Sequence, residues 1–253
     1  MKLALGMSLP SSNKGGSINL NFTFTVNTAN SGTSTSTQFT IPTGTGTFLY
    51  DVSTSDGYTA TGLTGDHTIE FPTGSGIHTV NISGTFPQIF FNNGGDKLKI
   101  LSVENFGIYG IGSTTQSNAF RGTNNMALNA TDTGNFGDAT EFEKFMFADN
   151  ITGTAFPLID TSSGTKFSLA FRGCRITSFP AGLFDNCPAT NFTNAFYNTD
   201  LSETSIDNIL VSIDTAGQSG GTFFQSGGNA PSAIGIAAKD SLVTKGWTVT
   251  YTA

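Results

Sequence analysis

The sequence predicts a mainly β chain in two parts: an amino-terminal β-sandwich, then a short solenoid of stacked coils closed by a helical carboxy-terminal cap. Three observations carry this. Apolar and polar residues alternate without a break from Ser17 to Val26, the period-two signature of a strand with one buried face. A phenylalanine motif recurs at a constant interval, with Phe142, Phe167 and Phe192 each 25 positions after the last. Only 11% of the 253 residues are charged, against 31 Gly and 23 Phe. Disordered chains combine few aromatics with high charge, so this composition belongs to strands and tight turns.

Residues 1–16 read as an arm and linker, because Met1 to Pro10 is followed by the flexible stretch Ser11-Ser12-Asn13-Lys14-Gly15-Gly16. The apolar run in the arm is closed by Ser8 and Pro10 too early for a secretory segment, so no export signal is expected, nor any membrane span. Residues 17–100 form the sandwich, of immunoglobulin-like or related type. Its strands are expected at Ser17–Val26, Gln38–Ile41, Thr47–Val52, His67–Phe71, Ile77–Ser83, Gln88–Phe91 and Lys97–Val103. Turns fall at Ser55-Asp56-Gly57, Thr73-Gly74-Ser75-Gly76 and Asn92-Asn93-Gly94-Gly95, where Gly and Asn tolerate positive φ.

Residues 101–201 are the solenoid, in units of about 25 residues. Aligning Glu141–Thr152 with Lys166–Thr177 matches Phe to Phe and Ile-Thr to Ile-Thr, and further copies lie at Asn191–Leu201 and, more loosely, Ser117–Gly122. Coils this small cannot bury an apolar face alone, so the phenylalanines are expected to stack as a ladder. Residues 202–253 are the cap. Ile206, Ile209, Leu210 and Ile213 are spaced for one helix face after the capping Ser202; a second helix starts at Ser232 and stops at Lys245-Gly246, and Trp247–Tyr251 is a last strand.

The stretch from Ala170 to Pro180 (Ala-Phe-Arg-Gly-Cys-Arg-Ile-Thr-Ser-Phe-Pro), with Leu183-Phe184-Asp185-Asn186-Cys187, resembles the BspA-like leucine-rich repeats of bacterial and phage surface proteins. The tail from Leu201 to Tyr251 is similar to the ends of phage-encoded members, and the amino-terminal domain resembles the PKD-like modules that precede such repeats. The resemblance covers most of residues 17–253. It departs from the pattern in having Ser53-Thr54-Ser55-Asp56-Gly57 where PKD-like domains carry Trp-Gly-Asp-Gly, and Phe where the repeats usually carry Leu. It implies a phage virion structural protein (capsid decoration, tail or fibre) located on the particle. The arm and β-domain would contact other virion proteins, and the solenoid a host surface glycan or protein. A bacterial cell-surface adhesin is the alternative. Self-association stays open.

The sequence offers little for catalysis, and no enzyme is expected. His67 and His78 lack a nucleophile-elbow serine, and Glu141, Glu143 and Asp149 read as solvated acids, leaving a polysaccharide-degrading enzyme as a distant third reading. No cofactor or metal site is expected, since there is no CxxC and no histidine pair at ligand spacing; Cys174 and Cys187 read as buried free thiols. A net charge of -7 argues against nucleic acid. Candidate binding residues are Arg121, Arg172, Arg175 and Tyr197 on the repeat turns, as arginine and tyrosine anchor many interfaces. Hydrogen bonding between coils is the competing role for each.

Overall fold

The structure, a computed structural model, describes residues 20–252. The arm 1–16 and residues 17–19 of the first expected strand lie outside the described residues. The chain is mainly β, with its strands in several sheets.

In the amino-terminal half, β1 (Phe22–Asn27) runs antiparallel between β6 (Ile77–Thr85) and β7 (Ile100–Asn105), placing Phe24 opposite both Val80 and Val103. Beyond β6 lie β3 (Leu49–Thr54) and β4 (Thr59–Leu63). A separate antiparallel pair, β2 (Gln38–Ile41) with β5 (His67–Glu70), packs over this sheet, Phe39 meeting Phe24 at 5.7 Å between ring centroids. The period-two pattern sets the inside: Phe22, Phe24, Val26, Phe39, Ile41 and Ile69 are fully buried. The loop from β1 to β2 is tied down by a buried ion pair. The Asp96 carboxylate accepts hydrogen bonds from the amides of Thr33, Ser34 and Thr40 and from the Ser34 hydroxyl, while the Lys99 ammonium donates to the carbonyls of Ser34, Thr35 and Gln38.

Two expectations for this half differ from the structure. Gln88–Phe91 is not a strand: only Ile89 forms a bridge, to Thr43, and the Gln88 amide is buried, accepting from the Thr45 amide and donating to the Ser117 carbonyl. The segment is buried as a loop that this polar side chain anchors. β4 was not expected; it is an edge strand of Thr, Ala, Gly and Leu with no buried residue, so it carries no hydrophobic signal.

β7 is the hinge of the architecture. Its other edge pairs in parallel with β8 (Ala127–Leu128), which is followed by β9 (Thr152–Ala155) and β10 (Arg175–Ser178), in the register Ser102, Ala127, Thr152, Arg175. The result is one eight-stranded sheet in the order β10-β9-β8-β7-β1-β6-β3-β4. The division expected between residues 100 and 101 thus falls inside β7, and one continuous core lies beneath both halves.

Away from this sheet, the phenylalanine motif stacks as expected. Phe142 and Phe167 lie 4.8 Å apart with planes 8° from parallel, Phe167 and Phe192 5.3 Å apart at 15°, and Phe171 and Phe196 5.3 Å apart at 17°. The backbone turns left-handed two residues after Phe142, Phe167 and Phe192, at Lys144, Leu169 and Asn194, and in the loose first copy at Asn118. Amides in each turn donate to carbonyls of the next: Asn118 to Glu143, Lys144 to Ser168, Leu169 to Thr193. The units therefore climb by one parallel-strand spacing each, about 4.8 Å.

At the carboxy end β11 (Asn191–Phe196), β12 (Thr222–Gln225) and β13 (Thr248–Thr250) form a parallel sheet. Helix α1 (Glu203–Thr215) is capped by Ser202, which accepts from the Ser205 amide, and buries Ile206, Ile209, Leu210 and Ile213; α2 (Ala233–Thr244) is capped by Ser232 and ends at Gly246, whose φ is +84°. Trp247 lies beside the last ring of the stack, 6.2 Å from Phe192, and so closes the apolar column.

Candidate functional site: an arginine–aromatic column

Each repeat turn presents the residue three places after its left-handed position: Arg121, Phe147, Arg172 and Tyr197. Stacking of the units brings these four into a column. The Arg121 guanidinium lies 5.6 Å from the Phe147 ring centroid, and Arg172 lies 4.8 Å from Phe147 and 5.1 Å from Tyr197. Phe224 of β12 continues the column, stacked on Tyr197 at 5.9 Å and 24°. Cation and ring alternate, each pair contributing roughly 0.5–1 kcal/mol at partly exposed sites.

The backbone fixes the spacing. Gly122 donates to the Phe147 carbonyl, Ala148 to that of Arg172, and Gly173 to that of Tyr197, at 2.9, 3.2 and 2.9 Å. Both column arginines are followed by a glycine with positive φ, and at Gly173 a Cβ would sit 2.5 Å from the Ala148 carbonyl oxygen. A side chain at Gly173 would push its unit away from the preceding one, whereas the equivalent positions of other units hold Ala148 and Asn198.

The two column arginines differ in their other contacts. Arg121 reaches the side-chain oxygens of Asn92 and Asn118 at 3.3 and 3.5 Å. Arg172 makes no side-chain hydrogen bond or ion pair among the described residues; its guanidinium lies between two rings, and the residue lines two grooves. One groove, about 250 Å³, is lined by Asn93, Arg121, Asn124, Phe147, Asp149 and Arg172. The other, about 260 Å³, is lined by Leu169, Arg172, Asn194 and Tyr197 and contains no acidic group.

Arg175 lies elsewhere, at the first residue of β10, where it donates to Asp200 at 2.8 Å, a contact between neighbouring units. Of the four residues singled out in the sequence, the structure thus brings together Arg121, Arg172 and Tyr197. Phe147 and Phe224 were missed. Phe147 stands in the same column of the aligned repeats as the other three, so reading that column downward would have found it; Phe224 lies in a glycine-flanked strand outside the repeat.

The remaining candidates for chemistry are engaged in local contacts. His67 shares a 2.7 Å hydrogen bond with the Tyr58 hydroxyl, and partial burial lowers its pKa. His78 stacks on Phe71 at 4.0 Å, meets the Gly74 carbonyl at 3.0 Å and lies 3.5 Å from Asp56. Glu141 pairs with Lys166 and Glu143 with Lys144, while Asp149 is exposed in the groove beside Arg172. A further hollow of about 340 Å³ carries Asp160, whose carboxyl is held below the usual range by the Ser162 hydroxyl and amide. Cys174 and Cys187 are buried free thiols. No group of three His, Cys, Asp or Glu side chains able to hold a metal ion occurs among the described residues. Compared with family models, curated proteins and solved structures, the chain matches none.

Proposed function

We propose that this chain is a non-enzymatic structural component of a phage particle, a capsid decoration, tail or fibre protein. In this reading residues 17–100 are an Ig/PKD-like sandwich that docks on the particle, together with the amino-terminal arm, and the units from 101 to 201 are a leucine-rich-repeat-like solenoid of the BspA kind. The observation that carries the reading is the arginine–aromatic column: stacking converts one turn position into a regular, solvent-facing stripe that can engage a partner without an enclosed pocket. The sheet shared through β7 supports it, because it couples a docking half rigidly to a presenting half. The non-enzymatic part is supported by the histidines, each held by an aromatic or backbone neighbour, with no serine or cysteine bonded to either among the described residues.

Quantitative mass spectrometry of purified virus particles and of washed host envelopes tests this. Recovery at a fixed ratio to the capsid protein is the expected result. Recovery only from the envelopes would replace it with the bacterial adhesin reading, and release of sugars from host polysaccharide by the purified chain would replace it with the enzyme reading.

A further inference from the structure

We propose that the column is a binding site for an acidic glycan, with Arg172 taking a carboxylate and Arg121 the hydroxyls of a neighbouring sugar; this rests on the reading of the column as a contact surface. The geometry points to this ligand in three ways. First, Arg172 is held between the rings of Phe147 and Tyr197, 4.8 and 5.1 Å away, with its in-plane N–H donors free of any hydrogen bond among the described residues. A guanidinium edge fixed in this way matches the two oxygens of a carboxylate, and its orientation is settled before the ligand arrives. The ring faces are already covered by guanidinium or by Phe224, so the column offers edges rather than platforms for flat apolar ligands.

Second, the two arginines lie two units apart, about 10 Å at parallel-strand spacing. That separation is the length of about two sugars, so one oligosaccharide can meet both arginines. A nucleic acid carries a far denser row of phosphates, and the chain's net charge of -7 opposes it. Third, amides surround the arginines: Asn93 and Asn124 line the groove between Arg121 and Arg172, and Asn194 lines the groove beyond. Asparagine amides donate and accept at once, which is what sugar hydroxyls need. Asp149 in the first groove can accept from a hydroxyl but repels a carboxylate. The carboxylate bound by Arg172 therefore sits on the side of the acid-free groove formed with Leu169, Asn194 and Tyr197.

The test is binding of the purified full chain, by isothermal titration and by immobilised glycans, to oligosaccharides of hyaluronate, polygalacturonate and polysialate. The same oligosaccharides with carboxyls reduced to alcohols, and a DNA duplex of similar charge, serve as controls. The expected result is binding to at least one carboxylated series, lost on reduction. Arg172→Gln should weaken it roughly tenfold or more, and Arg172→Lys should not restore it, since an ammonium keeps the charge but not the fork. Arg175→Gln, off the column, should bind as the parent does, and unchanged thermal melting of each variant separates site loss from misfolding. Absence of binding to all three series, equal binding of the reduced sugars, or equal binding of DNA would each overturn the proposal. Particle association is read separately by mass spectrometry, so a chain found on particles that binds no carboxylated glycan sinks this inference and leaves the virion reading standing.

Discussion

Four residues in the repeat turns, Asn118, Lys144, Leu169 and Asn194, hold φ values between 53° and 61°. A side chain in this region brings Cβ close to the following carbonyl, at a cost of roughly 1–2 kcal/mol, and asparagine escapes part of it through local hydrogen bonding. Two of the units already use asparagine. Lys144→Asn should therefore raise stability by about 0.5–1 kcal/mol, since the part-exposed pair with Glu143 that it removes contributes little; the urea midpoint checks it. Asp96 works in the opposite sense. Burial alone would raise its pKa, but the Ser34 hydroxyl, the amides of Ser34 and Thr40 and the Lys99 charge lower it overall. As pH falls, the unfolded chain then takes up this proton first. Its contribution to stability is full above the unfolded carboxyl value of about 3.9 and is lost as pH drops through the lowered folded value. Asp96→Asn should cost about 3–5 kcal/mol by leaving Lys99 buried without its counter-charge, and should flatten the acid limb of the stability profile. An unaltered acid limb in chemical denaturation would refute this account.

Among the elements, the phenylalanine stack is the most sensitive. Phe167 touches Phe142, Phe184 and Phe192, so Phe167→Ala opens a void spanning three units and should cost about 3–5 kcal/mol. A melting temperature within a few degrees of the parent would contradict that. This stack was legible in the sequence because a 25-residue offset aligns side chains that must share a core. Both helices were legible too, since Ser202 and Ser232 mark their starts and the isoleucine spacing of α1 has a helical period. β4 and β12 were not. Their identity comes from backbone pairing with neighbours, not from an apolar pattern of their own. Within the binding column Arg121, Arg172 and Tyr197 could be nominated by residue type, whereas their mutual contact depends on the left-handed turn that aims them, and nothing in Lys144 or Leu169 announces such a turn.

At the scale of the molecule, the sharing of β7 by antiparallel and parallel partners decides the behaviour. Two domains joined by a linker would melt separately, but a strand pairing with both halves above one core couples them. The chain should unfold in a single calorimetric transition with van't Hoff and calorimetric enthalpies in agreement. Two resolved transitions would show the halves to be independent.

The buried cysteines carry a practical consequence of the stacking. The Cys174 thiol donates to the Met146 carbonyl at 3.0 Å and the Cys187 thiol to that of Gly164 at 3.3 Å, each reaching back towards the preceding unit. Burial pushes both thiols up, Cys187 to about 11. Alkylating reagents attack the thiolate, so both sulfurs are chemically silent while the units stay in register. Their rate of labelling is then a built-in clock for the breathing of the stack, and a cysteine placed on the exposed turns could carry a probe without competition from either.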